Sequence, residues 1–330
     1  MTSQGNRPLV SIGVPAFNGA AFLRRALDSI LAQTYDNLEV VICDAASTDQ
    51  TEEICRHYQD KDPRIIYYRS AHEMGRVRHY WKTFELCSGE FFMWADQWDE
   101  KPAQAVERCV AALLCDPEAV LAYGPVLERV PNSAGLVGVI HHMPMQRLKS
   151  EQRIGILARE LRSIMIIYGL FRRSVLQKVV YPEHSAPDVL LLLQVCAFGS
   201  FVSITSPIVI YRTRQSYPSH IMYLELPLTL RNLLTVGRHV RQKCWAVLGW
   251  GMWYLGNLEG LRASEKARMI LSYAVNFGRQ YRTRLLKETI FQLFFPLALL
   301  SSQIWRIAKR ALCSDSINGR FRRFRMGHRS

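Results

Sequence analysis

The sequence predicts an α/β protein in which helices flank a mostly parallel central sheet, followed by a helical extension. Three observations carry that expectation. Short apolar runs of strand length alternate with segments whose apolar residues recur at helical spacing through residue 123. Beyond residue 224 only helical patterns recur. Charge divides the chain in the same place: residues 1–220 hold 23 Lys+Arg against 23 Asp+Glu, whereas residues 221–330 hold 19 against 5 and carry the whole net charge of +14.

Taken in order, residues 9–14 read as a buried strand, and Phe22, Leu23, Ala26, Leu27, Ile30 and Leu31 mark one face of the helix that follows. Residues 38–43 form a second strand, and Ser47-Thr48-Asp49 signals the start of a helix over 51–58. A strand at 65–68, a helix over 76–86 and a strand at 91–95 come next. Ala105, Val106, Cys109, Val110 and Leu113 share a helix face before the strand 120–123. Residues 130–150 read as loop and 151–163 as helix. Residues 189–198 are apolar all round and so predict a buried helix, with closing strands at 201–204 and 208–211. Helices are expected at 230–241, 244–258, 264–277 and 284–312, the last bent at Pro296, before an arginine-rich end.

A chain of 330 residues, 49% of them hydrophobic, has enough apolar surface for a substantial core. Eight cysteines without a C-x-x-C pair, and no leader-like run at the start, point to a reducing cytosolic setting with free thiols. The apolar runs 244–258 and 290–304 are shorter than the roughly 20 residues of a membrane span. Lying beside arginines, they fit helices resting in an anionic membrane interface better than helices docking on nucleic acid, so no nucleic-acid partner is expected. The division is therefore a domain over 1–220 and a basic amphipathic extension over 221–330, placed at the cytoplasmic, inner face of the plasma membrane as a peripheral protein.

In an open parallel sheet, ligands lie beyond the carboxyl ends of the strands. Three polar tips stand there: Pro15-Ala16-Phe17-Asn18, the stretch from Asp44 to Asp49, and the stretch from Asp96 to Glu100. Carboxylates at adjacent strand tips supply what a nucleoside diphosphate needs, an acceptor for the base and ligands for a divalent metal on the phosphates.

These tips carry a resemblance. V-S-I-G-V-P-A-F-N at 10–18, D-A-A-S-T-D-Q-T at 44–51 and G-E-F-F-M-W-A-D-Q-W-D at 89–99 resemble glycosyltransferase family 2 over roughly residues 8–213. The resemblance implies a GT-A fold and an inverting, nucleotide-sugar-dependent glycosyltransferase. It puts Pro15, Ala16 and Asn18 beside the nucleotide and has Asp44 accept a hydrogen bond from the base, which favours uracil or thymine; the competing reading of Asp44 is a turn or helix cap. Ser47-Thr48-Asp49 is read chiefly as a cap. Asp99 matches the family's metal-binding carboxylate for Mn²⁺ or Mg²⁺. Trp98 stands where relatives carry a second acid, and Asp96 either replaces that acid or faces water. Trp98 in that place implies either weaker metal binding or a ring stacked on the donor.

Inversion needs a base to take the proton of the attacking hydroxyl. Asp188, opening the helix after Ala186-Pro187, matches the family's base, the competing reading being an N-cap. Arg76 and Arg78 follow as diphosphate contacts or as surface charges, and His220 as a phosphate or metal contact or an uninvolved loop residue. Trp245, Trp250, Trp253 and Trp305 are read as core or interface anchors. The chain lacks a Gln-x-x-Arg-Trp motif and a multi-span region, which disfavours a processive polymerase. The resemblance thus implies transfer of one sugar from a UDP- or dTDP-sugar donor to a glycan or lipid-linked acceptor, in bacterial surface polysaccharide synthesis. The rival is a non-catalytic domain of the same fold serving as a membrane scaffold; a nucleotidyltransferase fits less well, because no Gly-rich phosphate loop opens the chain.

Overall fold

The computed structural model describes residues 7–129, 136–139, 143–161, 164–183, 186–212, 243–282 and 285–286. His220, the helix expected at 230–241, the arginine-rich end and nearly all of the helix expected at 284–312 lie outside them. Residues to Gln280 form one compact unit and Tyr281–Ser330 another; the elements below belong to the first.

The chain begins β1 (Val10–Ala16), α1 (Ala20–Leu31), β2 (Leu38–Asp44), α2 (Thr51–Lys61), β3 (Ile65–Arg69), α3 (Arg76–Glu85), β4 (Phe91–Trp94), α4 (Ala105–Cys115) and β5 (Ala119–Tyr123). All seven residues of β1 are buried, as expected of a central strand covered on both faces. Helix α1 buries Leu23, Ala26, Leu27 and Ile30, the stripe that helical spacing predicts. Gly13 on β1 lets α3 approach: a Cβ there would lie 2.9 Å from both the Phe92 ring and Thr83 Cγ2.

Next come β6 (Val126–Arg129), β7 (Leu136–Val139), α5 (Ser150–Glu160), a 3₁₀ turn (Ile164–Tyr168), β8 (Leu170–Arg172), α6 (Arg173–Leu176), α7 (Pro187–Phe198), β9 (Ser200–Ser203) and β10 (Val209–Arg212). Seven strands form the main sheet in the order β3-β2-β1-β4-β8-β5-β9, parallel except that β8 runs antiparallel to both neighbours. A second sheet has the order β10-β6-β7. Strand β7 corrects the loop expected over 130–150: four residues paired antiparallel to β6 are too few to announce themselves by alternation. Strand β8, three residues long, escaped the sequence for the same reason.

Helix α7 is buried on nearly every side, with Leu190 to Ala197 all within the core, and it packs against α5. It also meets α8 (Lys243–Asn257). A last helix, which within the first unit runs over 263–280, is tied to α5, where Ser150 Oγ donates to Glu265 at 2.9 Å and Ser272 Oγ donates to the Glu151 carbonyl at 2.6 Å. Compaction therefore follows a different line from charge: the unit runs to Gln280, although the composition changes at 220/221. The reason is that α8 and the helix after it turn apolar faces inward, with Leu255 and Met269 fully buried, while Arg268 and Arg279 of the later helix are exposed. Among the described residues no helix is long and apolar enough to cross a membrane.

Candidate functional site

Register brings the first two tips level, since Ala16 of β1 pairs with Asp44 of β2 and Asp44 in turn with Arg69 of β3. Beyond them the chain stitches itself together. Asn18 N–H donates to Ser47 Oγ at 2.9 Å, and Asn18 Oδ1 accepts from Thr48 N–H at 2.9 Å. Asp49 receives the Ala20 and Thr51 backbone N–H groups, at 3.1 and 3.0 Å, so one carboxylate caps the starts of two helices, as the Ser47-Thr48-Asp49 signal implied. Asn18 and Ala46 hold φ of 45° and 59°, a left-handed backbone that costs a residue with a Cβ and persists only where surroundings enforce it. Pro15 and Ala16 are buried beneath this rim, while Phe17 and Asn18 are exposed on it.

Asp44 is held within the fold. Its carboxylate has no exposed surface; Oδ1 accepts from Ser47 N–H at 2.9 Å and Ser47 Oγ at 2.5 Å, Oδ2 accepts from Tyr67 Oη at 2.8 Å, and Arg69 Nε lies 3.5 Å away. No exposed oxygen remains for a nucleobase, and the turn reading is the one these bonds describe. The cause is the register, which places a phenol and a guanidinium of β3 directly beside the strand tip. Burial, then the bond to Asp44, raises the Tyr67 pKa far above its ordinary value.

The third tip is an acidic turn closed by Asp99 N–H donating to the Asp96 carbonyl at 3.2 Å. Within that turn Asp96 is half-buried and Asp99 buried. The turn is fixed at both ends. Gln97 reaches back to β1, accepting from Phe17 N–H at 3.0 Å and donating to the Phe17 carbonyl at 2.9 Å, and Glu100 exchanges backbone bonds of 3.1 and 2.8 Å with Ile210 of β10. The Trp98 ring packs against Phe22 of α1, centroids 5.0 Å apart, so part of its surface serves the fold. Lys101, 5% exposed, donates from Nζ to the Tyr168 carbonyl at 3.3 Å. Burial pulls its pKa down to about 8, with the Asp99 charge opposing that fall.

Asp188 lies at the first turn of α7, after Ala186 in the left-handed region at φ 58° and a proline suited to a helix start. Oδ1 accepts from Tyr181 Oη at 2.5 Å and Oδ2 lies 4.0 Å from the Arg76 guanidinium. Arg76 and Tyr80 stand one turn apart on α3, and Tyr80 Oη donates to Asp96 Oδ2 at 3.1 Å, so one helix face touches both acids. Tyr168 Oη reaches the same Asp96 oxygen at 3.5 Å. Burial raises the Tyr168 pKa well above its ordinary value, and the charges of Tyr80, Asp96, Asp99 and Asp188 push the same way. All three acids thus act on one phenol. Against the cost of burial, Asp188 and the surrounding tyrosines hold the Arg76 guanidinium more firmly charged.

The structure therefore gathers Arg76, Asp96, Asp99 and Asp188 around a cage of tyrosines, places Asn18 on the neighbouring rim, and withdraws Asp44 into the floor. Sequence reasoning missed Gln97, Lys101, Tyr80, Tyr168 and Tyr181. Tyr80 was accessible from its i, i+4 relation to Arg76; Tyr168 and Tyr181 arrive by tertiary packing and carry no local signal. Among the described residues no three His, Cys, Asp or Glu side chains gather as a metal site by themselves. The pair Asp96 and Asp99 fits a hard cation of the Mg²⁺ or Mn²⁺ kind, which takes one or two carboxylates and completes its shell with substrate phosphates and water.

Comparison with known proteins shows the family and the fold. Residues 11–180 match the family described as Glycosyl transferase family 2. An uncharacterized glycosyltransferase of Rickettsia typhi, RT0329, is 40% identical over 87 residues, 26% of this chain and 26% of that protein. Chondroitin synthase of Escherichia coli is 35% identical over 104 residues, 31% of this chain and 15% of the synthase. The match thus spans about a quarter or less of these curated relatives. The structure of S. aureus TarS 1–349 in complex with UDP-GlcNAc superposes with a TM-score of 0.58 at 15% identity, over 83% of this chain and 74% of that one. The shared fold is the GT-A arrangement.

Proposed function

The chain belongs to glycosyl transferase family 2, and from that premise we propose that it is a non-processive, inverting transferase moving one sugar from a nucleotide-sugar donor to a glycan or lipid-linked acceptor. The observation that carries the proposal is the convergence of Asp96, Arg76 and Asp188 from three separate elements onto one tyrosine-lined site, with the charge of Asp99 acting on the Tyr168 phenol of that site. Asp188 takes the proton from the acceptor hydroxyl while that oxygen attacks the anomeric carbon opposite the departing diphosphate, which inverts the centre. Tyr181 orients Asp188, and Arg76, beside it, offers a fixed positive charge to the diphosphate. A divalent cation held by Asp99 and Asp96 together with phosphate oxygens would offset the charge on the leaving group.

A UDP- or dTDP-sugar is the favoured donor class. That choice leans on TarS, solved with UDP-GlcNAc, because Asp44 is committed to the fold. Polysaccharide synthesis at a bacterial surface is supported by the likeness to chondroitin synthase. Membrane association is proposed for the basic extension over 221–330, at the inner face of the plasma membrane. Its support is the 19-to-5 excess of basic residues together with Trp253, Leu271 and Val275 exposed on its helices.

A donor screen read by mass spectrometry tests the reaction. Wild-type protein with Mn²⁺ is expected to consume one UDP- or dTDP-sugar slowly, and Asp188→Asn and Asp99→Ala to abolish transfer. Transfer at wild-type rates in both variants rejects the mechanism. For the extension, flotation with anionic liposomes at low salt is expected, and failure to float rejects the membrane role.

A further inference from the structure

A cavity of about 310 Å³ lies between the outer face of α3, residues 180–183 and α8. Tyr181 is common to this cavity and to the site described above. The Tyr181 ring lines the cavity while the Tyr181 hydroxyl donates to Asp188 at 2.5 Å, so whatever fills the cavity is one side chain from the base. Trp81 and Tyr254 supply two further aromatic walls, the Trp81 and Tyr181 rings being 6.0 Å apart and tilted by 48°. The rim carries Arg78 and Lys82 against Glu85 and Glu183, with Lys82 3.5 Å from Glu85.

A half-buried Trp81 flanked by the buried Tyr181 and Tyr254, beneath a rim of charged, hydrogen-bonding groups, suits a sugar ring, whose C–H face packs on a π-system while its hydroxyls pair with guanidinium, ammonium and carboxylate. The volume stands at the low end for small-ligand sites, enough for one or two rings. Two cations against two anions leave the rim without net charge, so it does not favour a phosphate or uronate over a neutral saccharide. We infer that this cavity is an acceptor subsite for a neutral saccharide unit, its occupant resting on Trp81 and held by the charged rim, with Tyr181 standing between it and Asp188. The role as acceptor rests on the transferase reading; the binding of a saccharide does not.

The test uses the full chain and saturation-transfer NMR with lactose, maltose and N,N′-diacetylchitobiose, with glucuronic acid and UDP as competitors. At least one neutral disaccharide is expected to bind, about tenfold more weakly in Trp81→Ala and within about threefold of wild type in Trp81→Phe, which keeps an aromatic face. Arg78→Ala, an exposed change that leaves the core intact, is expected to weaken the same signal. Neither UDP nor glucuronic acid is expected to displace the disaccharide. Absence of any disaccharide signal, a signal indifferent to Trp81→Ala, or displacement by UDP overturns the inference. Binding is read without turnover, so a wild-type protein that consumes no donor rejects the transferase reading and leaves the cavity's ligand decided on its own terms.

Discussion

Asp44→Ala separates the two roles this residue was offered. The carboxylate is fully buried and receives Ser47 N–H, Ser47 Oγ and Tyr67 Oη, with Arg69 Nε at 3.5 Å. Its removal strands the Ser47 N–H and the Tyr67 hydroxyl, whereas Arg69 keeps Glu52 at 2.9 Å. Breaking such a buried, charge-assisted cluster costs about 3–5 kcal/mol. At about 2–4 °C per kcal/mol for a unit of this size, the melting temperature falls by roughly 6–20 °C. Asp44→Asn, which keeps one acceptor oxygen, is expected to lose about half as much. Differential scanning calorimetry of the full chain reads the stability, and titration with UDP below the melting range reads the nucleotide. Asp44→Asn is expected to destabilise clearly while changing UDP affinity by less than about threefold. A variant that melts within about 2 °C of wild type yet loses UDP binding refutes the structural role and restores the base contact.

Burial holds the His79 imidazole below its ordinary pKa of 6.5, against the pull of the Cys43 carbonyl at 2.7 Å and the charge of Asp44. The unfolded chain therefore binds more protons just below pH 6.5, so the stability from this group is complete above that pH and is lost as pH falls toward the lower folded value. His79→Gln should flatten the dependence of melting temperature on pH between about 5 and 7; an unchanged slope rejects the assignment. Gly19→Ala places a Cβ 2.0 Å from Gln97 Oε1, breaking the clasp between β1 and the acidic turn, and is expected to cost about 1–3 kcal/mol in thermal stability. Wild-type melting in that variant denies the clasp.

The parallel core was legible because its signals are local and repeated: β1, β2 and β4 are short, mainly apolar runs, and α1 and α4 carry stripes at helical spacing. The acidic tips were legible for the same reason, each following a strand end. Strands β7 and β8 were not, because four and three residues carry too little periodicity and their pairing is decided by distant partners. Asp44 shows the same limit within the site. Its position at a strand tip was read correctly, but the use of its oxygens depends on Tyr67 and Arg69, which only the register of β3 brings alongside. Tyr181 likewise reaches Asp188 from seven residues earlier, a separation that no spacing rule predicts. Charge located the basic extension, whereas the inward faces of its helices decided where the compact unit ends.

Calorimetric titration of the full chain with UDP, with and without Mn²⁺, addresses the central claim most directly. Binding should tighten at least tenfold with the cation, and Asp99→Ala should remove that gain while leaving the fold intact. Equal UDP affinity with and without Mn²⁺, or a full metal effect in Asp99→Ala, contradicts a diphosphate site built on the acidic turn.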